Sequence, residues 1–398
     1  MHPSAAIRGK KGTRLLEKKI VLGVTGSIAA VETVRLVREL IRHGADVRVV
    51  MSDGAREILH PNALQFASGH EVIQHLDGSV PYITAFGAQG EADLLLIAPA
   101  TANTVSKIAH GIDDTPVTTF ATMALGSHKP VLIAPAMHEP MYEHPLVQKN
   151  VAILQRLGVV FVPPKVEEDK AKMADRDTIV AYVLRALGPQ DMRKKKAVVI
   201  AGSTEEEIDD LRIVTNRSSG ETGIELAKEA FYRGADVELW LGRATDPSPP
   251  YVPVRRFSTT RDLMALTKKV RADFFAVPAA ISDYSPKRQT GKIPSRKGPL
   301  TIDLLPTPKV IRSLKRGKTK LVAFKAESRV SPKDLLAKAK SLFAEARADL
   351  VVANDVTEVK AGKTHAYLLD AQGHVREVRG TKALLAQEIW SGLLHGLG

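Results

Sequence analysis

The 398-residue chain contains no cysteine. That absence excludes disulfides, thiolate metal sites and a cysteine nucleophile. Aromatic residues are scarce, at 5% of the chain with two tryptophans. No basic run is interleaved with them as a stacking platform for single-stranded nucleic acid requires. No apolar run is long enough to cross a bilayer, and no secretory signal opens the sequence. A cytoplasmic protein with no membrane partner is therefore expected.

Positive charge is plentiful, with a formal net charge of +13. The densest runs, Lys10-Lys11, Arg193-Lys194-Lys195-Lys196 and Lys315-Arg316-Gly317-Lys318, flank strands or fill turns. We read the excess as solubility and attraction for phosphorylated small molecules rather than for nucleic acid, whose binding would be strongly salt-sensitive. Apolar content of 44% and charged content of 25% are those of an ordinary folded protein. The length points to two or three domains.

The pivot of the chain is Ala98-Pro99-Ala100-Thr101-Ala102-Asn103-Thr104. It follows Asp93-Leu94-Leu95-Leu96-Ile97, a run sized for a buried parallel strand, and precedes Val105-Ser106-Lys107-Ile108-Ala109, which has helical spacing. Small and hydroxylic residues at the end of a strand, where a helix begins, mark the ligand side of an open α/β sheet. The helix's first N–H groups there are free to hold an anion.

The same grammar occurs earlier. A strand over 19–24 ends in Thr25-Gly26-Ser27-Ile28-Ala29-Ala30, an amphipathic helix runs to about Arg42, and a strand over 45–51 ends at Ser52. The turn lacks the full glycine fingerprint of dinucleotide folds, so Gly26 and Ser27 suit a single phosphate. Residues 1–17 read as a basic tail. Further elements are a helix from Pro61, strands at 131–134 and 158–162, a charged loop over 163–172 and a helix to about Leu187. After a linker over 189–196 the pattern restarts: strand 197–200, turn Ala201-Gly202-Ser203-Thr204, helix 221–233, strand 235–240. Arg-Gly-Ala-Asp-Val, with His43 inserted in the first copy, appears at 42–47 and again at 233–237. Strands at 274–277, 300–304, 320–324 and 349–353, a helix over 332–347, a hairpin around Gln372-Gly373 and a helix over 383–394 complete the reading.

Several motifs in this order resemble one family, the fused phosphopantothenoylcysteine decarboxylase and phosphopantothenate–cysteine ligase of coenzyme A synthesis. In the first half they are Gly23 to Ala30, Pro99 to Thr104, and Pro135-Ala136-Met137 with Met141-Tyr142. In the second half they are Ala201 to Thr204, Thr215-Asn216-Arg217-Ser218-Ser219-Gly220, Ala279-Ala280-Ile281-Ser282-Asp283-Tyr284, Lys292-Ile293, Ala323-Phe324-Lys325-Ala326-Glu327 and Asn354-Asp355. The resemblance covers the chain from about residue 18 to its end.

The resemblance implies an α/β chain. A flavodoxin-like, Rossmann-type FMN-binding domain (18–188) is followed by a second Rossmann-like ligase domain (197–398). Gly26, Ser27, Ile28 and Ser52 would hold the flavin phosphate and ribityl, and Thr101 and Asn103 the ring system. In this family FMN oxidises the substrate thiol to a thioaldehyde, which makes loss of CO₂ easy, and the electrons then return. The protein needs a base, a carboxylate clamp and an acid. Where the family carries a catalytic histidine this chain has Tyr82, a poor general base that is expected in the site to orient substrate, with His75 seven residues earlier as a possible stand-in. His138 replaces a substrate-binding asparagine and could supply the base. The flap near 167–176 carries no cysteine, so Lys170, Lys172 or water would serve as the acid.

In the second half the resemblance implies activation of 4′-phosphopantothenate by a nucleoside triphosphate, usually CTP, as an acyl-nucleotide. Pyrophosphate leaves with Mg²⁺ and the amine of cysteine attacks. Asn216 matches the residue that handles the intermediate. Lys292 matches a mobile-loop lysine that meets the triphosphate, and both are expected to be catalytic. Gly202, Ala279, Asp283, Lys292, Thr307, Pro308, Lys309, Val310, Phe324 and Lys338 match the nucleotide-binding stretches, and Leu342 stands where a further lysine is expected. The product is 4′-phosphopantetheine. A homo-oligomer is expected, with a trimeric flavin domain and a dimeric ligase domain. Two alternatives stay open: a working ligase whose first domain binds FMN without catalysing, and a non-catalytic flavin-binding regulatory module.

Overall fold

The near-continuous apolar runs become parallel strands covered on both faces. The computed structural model describes residues 2–398 other than 168–169, 295–298, 315–316 and 359–362, and of 166, 167, 170 and 171 the backbone alone. Lys315 and Arg316 of the third basic run and the side chain of Lys170 thus lie outside the described residues. The chain divides into two units, Met1–Gly188 and Pro189–Gly398.

In the first unit β1 (Lys19–Val24), β2 (Asp46–Met51), β3 (Leu94–Ala100), β4 (Val131–Pro135) and β5 (Val160–Phe161) form one parallel sheet in the order β2-β1-β3-β4-β5. This is the flavodoxin-like order, with its switch point between β1 and β3. Helices α1 (Thr33–Arg42), α2 (Ala102–Ala109), α3 (Pro116–Gly126), α4 (Pro145–Arg156) and α5 (Arg176–Ala186) pack around the sheet. One core cluster joins Leu95, Ile97 and Ile133 of the strands to Val105, Phe120 and Leu154 of the helices.

In the second unit β6 (Lys196–Ala201), β7 (Asp236–Leu241), β8 (Val254–Arg256), β9 (Phe274–Val277), β10 (Lys320–Glu327) and β11 (Leu350–Asp355) pair in parallel, with β12 (Thr364–Asp370) and β13 (Val375–Gly380) added antiparallel. The order is β8-β7-β6-β9-β10-β11-β12-β13. The first six strands follow the 3-2-1-4-5-6 arrangement of a Rossmann sheet, with a switch point between β6 and β9. Helices α6 (Glu221–Tyr232), α7 (Thr260–Lys269), α8 (Pro332–Ala346) and α9 (Lys382–His395) belong to this unit. Trp240, Phe275, Leu321 and Val351 are central to its core.

The basic tail expected over 1–17 is part of the fold. Leu15 is buried, and the N–H groups of Gly9, Lys11 and Leu15 donate to the carbonyls of Ile41, Arg42 and His43 at 2.9 to 3.1 Å. Those carbonyls end α1 and have no partner within the helix. The expected linker does the same in the second unit: Met192 is buried and its N–H donates to Arg233 O, 3.1 Å away, at the end of α6. This explains the repeated Gly-Ala-Asp-Val. Gly44 and Gly234 both have positive φ, and a Cβ on either would lie within 3 Å of the crossing segment.

Three further expectations are corrected. The loop over 163–172 is a hairpin of Lys165–Glu167 and Lys170–Lys172, with Met137–His138 paired on its outer edge. The strand expected over 300–304 begins only at Leu304, in a two-stranded ribbon with Tyr284–Pro286; Leu300 and Ile302 are exposed and have no sheet to cover them. In the pivot, β3 runs on through Pro99 to Ala100 before Thr101 caps α2. The irregular register between Ile97 and Ala100 accommodates a residue without an N–H.

Hydrogen bonding lowers three aspartates to about 2. His70 is the leading cause at Asp46, and the Thr357 hydroxyl at Asp355. Burial would raise Asp209, but N–H donors from Leu211, Ile293 and Arg212 overcome it. A carboxylate with a depressed folded pKa contributes stability above its unfolded value of about 3.9, and loses it as pH falls towards 2. Urea midpoints should therefore fall between pH 4 and pH 2, and a flat profile there would contradict these assignments.

Candidate active sites

The first site lies at the switch point of the first sheet. Thr25, directly after β1, donates from its N–H and its hydroxyl to Pro99 O at 3.3 and 2.8 Å, and its Oγ1 accepts from Thr101 N–H at 3.2 Å. Ser52 N–H donates to Val24 O at 3.0 Å. The loops after β1, β2 and β3 are thus stitched together, bringing Gly26, Ser27 and Ile28, Ser52, and Thr101 with Asn103 to one edge of the sheet. Ser27 caps the short helix Ile28–Glu32, Ser52 caps Asp53–Arg56, and Thr101 caps α2, with Asn103 exposed in its first turn. Each cap leaves N–H donors at a helix start. A Cβ on Gly26 would stand 3.1 Å from the Gly54 backbone, so a side chain there would push the two loops apart.

A cavity of about 820 Å³ opens beside this edge. Ser27 and Ile28 line one wall, Met137 and His138 another, and Lys172 and Met173 a third. Its size is ample for a mononucleotide cofactor. His138 is exposed at the end of its short ribbon strand. Tyr82 is not on these walls: it belongs to the helix Pro81–Phe86, and its ring packs edge-on to Phe120 with centroids 6.4 Å apart. His75 faces Arg56, Nε2 to Nη1, at 3.0 Å. Of the proton-handling residues expected from the sequence, the cavity thus gathers His138 and Lys172. Arg35 also lines it, and no sequence signal set that residue apart from other helix-surface arginines.

The second site lies between β6 and β9. Gly202, at φ 79°, follows β6, and a Cβ there would be 2.5 Å from Arg243 O. Its carbonyl accepts from Ala280 N–H at 2.8 Å, and Thr204 Oγ1 accepts from Ser282 N–H at 2.9 Å. Asn216 follows the ribbon strand Ile213–Thr215, and its Nδ2 donates to Ala280 O at 3.4 Å. Gly202→Ala should destabilise the second unit by more than about 1 kcal/mol, because both the left-handed backbone and the contact oppose a side chain. An unchanged melting temperature would refute this.

A cavity of about 490 Å³ adjoins Ala279 and Asp283. Thr307, Pro308, Lys309 and Val310 line it on one side, and Phe324, Lys338 and Leu342 on the other. Val310 is also buried in the core. Lys309 Nζ lies 2.6 Å from Asp283 Oδ1, and Lys338 Nζ 2.9 Å from Glu327 Oε2. Lys338, and after it Lys325, hold the Glu327 carboxyl below its usual range. Gly202 and Lys292 are not on these walls. Lys292 sits in a segment pinned instead to the turn that precedes Asn216: Ile293 N–H donates to Asp209 Oδ2 at 3.0 Å. Sequence reasoning missed Asp209, since nothing local ties it to a residue 84 positions away.

Residues 8–188 match the family described as Flavoprotein, and residues 192–396 the DNA/pantothenate metabolism flavoprotein C-terminal domain. A protein of Thermococcus kodakarensis named coenzyme A biosynthesis bifunctional protein CoaBC is 42% identical over 397 residues, covering 98% of both chains. Proteins of the same name from Methanocaldococcus jannaschii and Bacillus subtilis are 34% and 32% identical. They cover 98% and 87% of this chain, and 96% and 88% of their own.

Proposed function

This chain belongs to the coenzyme A biosynthesis bifunctional family, and from that premise we propose how its two sites divide the work. It is a bifunctional enzyme, a ligase and an FMN-dependent decarboxylase acting in two consecutive steps. The second unit joins 4′-phosphopantothenate to cysteine, and the first converts the product to 4′-phosphopantetheine. What most supports the assignment of sites is that several residues expected at each line a cavity beyond the carboxyl ends of the strands: Ser27, Ile28 and His138 around one, and Asp283, Thr307, Phe324 and Lys338 around the other, with Gly26, Ser52, Thr101 and Asn103 outside the first set of walls.

In the ligase site CTP occupies the second cavity. Phe324 borders the nucleotide, while Lys309 and Lys338 exchange their carboxylate partners for phosphate oxygens. Lys292 meets the triphosphate as a mobile point charge. Mg²⁺ keeps several waters and favours phosphate oxygens, so it enters with the triphosphate. The Asn216 amide receives the carbonyl oxygen of the acyl-cytidylate as it gains charge when cysteine attacks.

In the decarboxylase site the bare backbone at Gly26 and Gly54 and the N–H groups behind Ser27 fit a phosphate, and the apolar wall at Ile28 and Met137 fits a flavin ring. Bound FMN supplies a two-electron acceptor that gives the electrons back. His138 takes the thiol proton of phosphopantothenoylcysteine at an imidazole nitrogen, and Lys172 is placed to return one to the product.

Among the described residues no helix is long and apolar enough to cross a membrane, and a cytoplasmic location is part of the proposal. So is a homo-oligomer built from trimeric and dimeric contacts. Exposed Tyr284, Leu304 and Leu305, which share one two-stranded ribbon in the second unit, support such a contact. The decisive assay mixes protein, CTP, Mg²⁺, 4′-phosphopantothenate and cysteine, and follows pyrophosphate and CO₂ separately. Pyrophosphate without CO₂ from flavin-loaded protein would leave a working ligase carrying a silent flavin domain. Neither product would end the proposal.

A further inference from the structure

Residues 288–293 carry Lys292 and lie along residues 207–212, the turn that leads into the Asn216 strand. Gln289 N–H donates to Ile208 O at 2.9 Å, Gly291 N–H to Asp210 Oδ2 at 3.0 Å, and Ile293 N–H to Asp209 Oδ2 at 3.0 Å. Arg212 Nη1 reaches Ile293 O at 3.2 Å. The Asp210 side chain is 45% exposed and that of Asp209 is 0%. The buried carboxylate is fully engaged. Its Oδ1 accepts from the N–H groups of Leu211 and Arg212 at 2.8 and 2.7 Å, and its Oδ2 accepts from Arg212 Nη1 at 2.5 Å as well as from Ile293. A carboxylate buried only to close a turn would need no donor from another segment. Here one acceptor oxygen is given to the residue that follows Lys292.

We infer that Asp209 is a positioning residue for ligation: by holding Ile293 N–H it fixes where Lys292 can reach from the strand that leads to Asn216. The inference rests on the reading of Lys292 and Asn216 given above. Lys292 is a flexible cation whose free reach is wide, so tethering the next residue removes most of the conformations that miss the phosphates. Misplacement of a reacting group by about 1 Å can cost on the order of 100-fold in rate.

The test is a double-mutant cycle in the full-length chain. Asp209→Asn keeps the shape of the side chain but turns an amide NH₂ towards donors, so the Ile293 tether is lost. Ile293→Pro deletes the N–H from the loop side, also fixing φ at 293 and biasing the Lys292 backbone towards extended, and leaves the Asp209 turn in place; it carries the test if Asp209→Asn fails to fold. Either change should lower kcat/KM for CTP, read as pyrophosphate release, by on the order of 100-fold. The KM for cysteine and the decarboxylation rate of the same chain should stay within about two-fold. In a Lys292→Ala background the same change should cost less than about two-fold further, because the residue it acts through is gone. A purely structural carboxylate would instead multiply its loss onto that of Lys292→Ala. Such a multiplicative loss, or full ligation by both tether variants, overturns the inference while the assignment of Lys292 stands. Full ligation by Lys292→Ala overturns that assignment, and the inference with it.

Discussion

Asn216→Ala should slow amide formation by roughly 100-fold to 1,000-fold while leaving nucleotide activation largely intact. The amide sits where two loops converge, its Nδ2 3.4 Å from Ala280 O in the stretch that reaches Asp283 and the 490 Å³ cavity. That contact is at the long limit for a hydrogen bond, so the donor is held near the site without being consumed by it. A carbonyl oxygen gaining charge is a better acceptor than Ala280 O, and the amide is already oriented when the charge develops. Loss of one such preorganised donor costs roughly 100-fold to 1,000-fold in rate. Rapid-quench kinetics should show a pyrophosphate burst of about one per site, with amide product slowed by that factor. Asn216→Asp should be no faster, because a carboxylate repels both the triphosphate and the developing oxyanion. The decarboxylation rate of the same chain is the internal control and should not move. Amide formation by Asn216→Ala within about ten-fold of the parent would remove this residue from the mechanism.

How far the sequence discloses this architecture depends on how local the determining forces are. A strand such as β3 or β9 is buried on both faces, so its run of apolar residues is itself the signal. The Gln372-Gly373 turn between β12 and β13 carries its own backbone chemistry, Gly373 adopting the left-handed conformation. Segment 1–17 carries no periodicity, because what holds it is a set of backbone donors matched to the open end of α1. Helix α7 and the ribbon Glu205–Glu207 with Ile213–Thr215 escaped for a related reason. Their apolar residues are few, and buried Glu206 anchors them by accepting from Thr260 N–H and hydroxyl at 3.0 and 2.6 Å. The candidate site residues were legible as motifs, but not which of them share a cavity. Asp209 with Ile293 and His138 with Lys172 meet only through tertiary structure.

His138→Ala should lower decarboxylation by about 100-fold to 10,000-fold, the usual contribution of a positioned general base, with flavin retained and ligation untouched. Placement is the argument. The imidazole lines the same 820 Å³ cavity as Ser27 and Ile28, at the end of a ribbon that also brings Lys172 to that cavity. A neutral imidazole has one ring nitrogen with a free lone pair and so can accept a thiol proton. A phenol near 10 cannot do so without a large shift. Tyr82, which the resemblance places where the family carries a histidine, packs on Phe120 instead. Tyr82→Phe keeps that packing and should leave turnover within about three-fold, well short of a general base's contribution. The measurement is CO₂ release from phosphopantothenoylcysteine, with flavin absorbance recorded on each variant before assay. If His138→Ala turns over normally and Tyr82→Phe does not, the base lies on the helix Pro81–Phe86, and a neighbouring copy of the chain must bring that helix to the cavity.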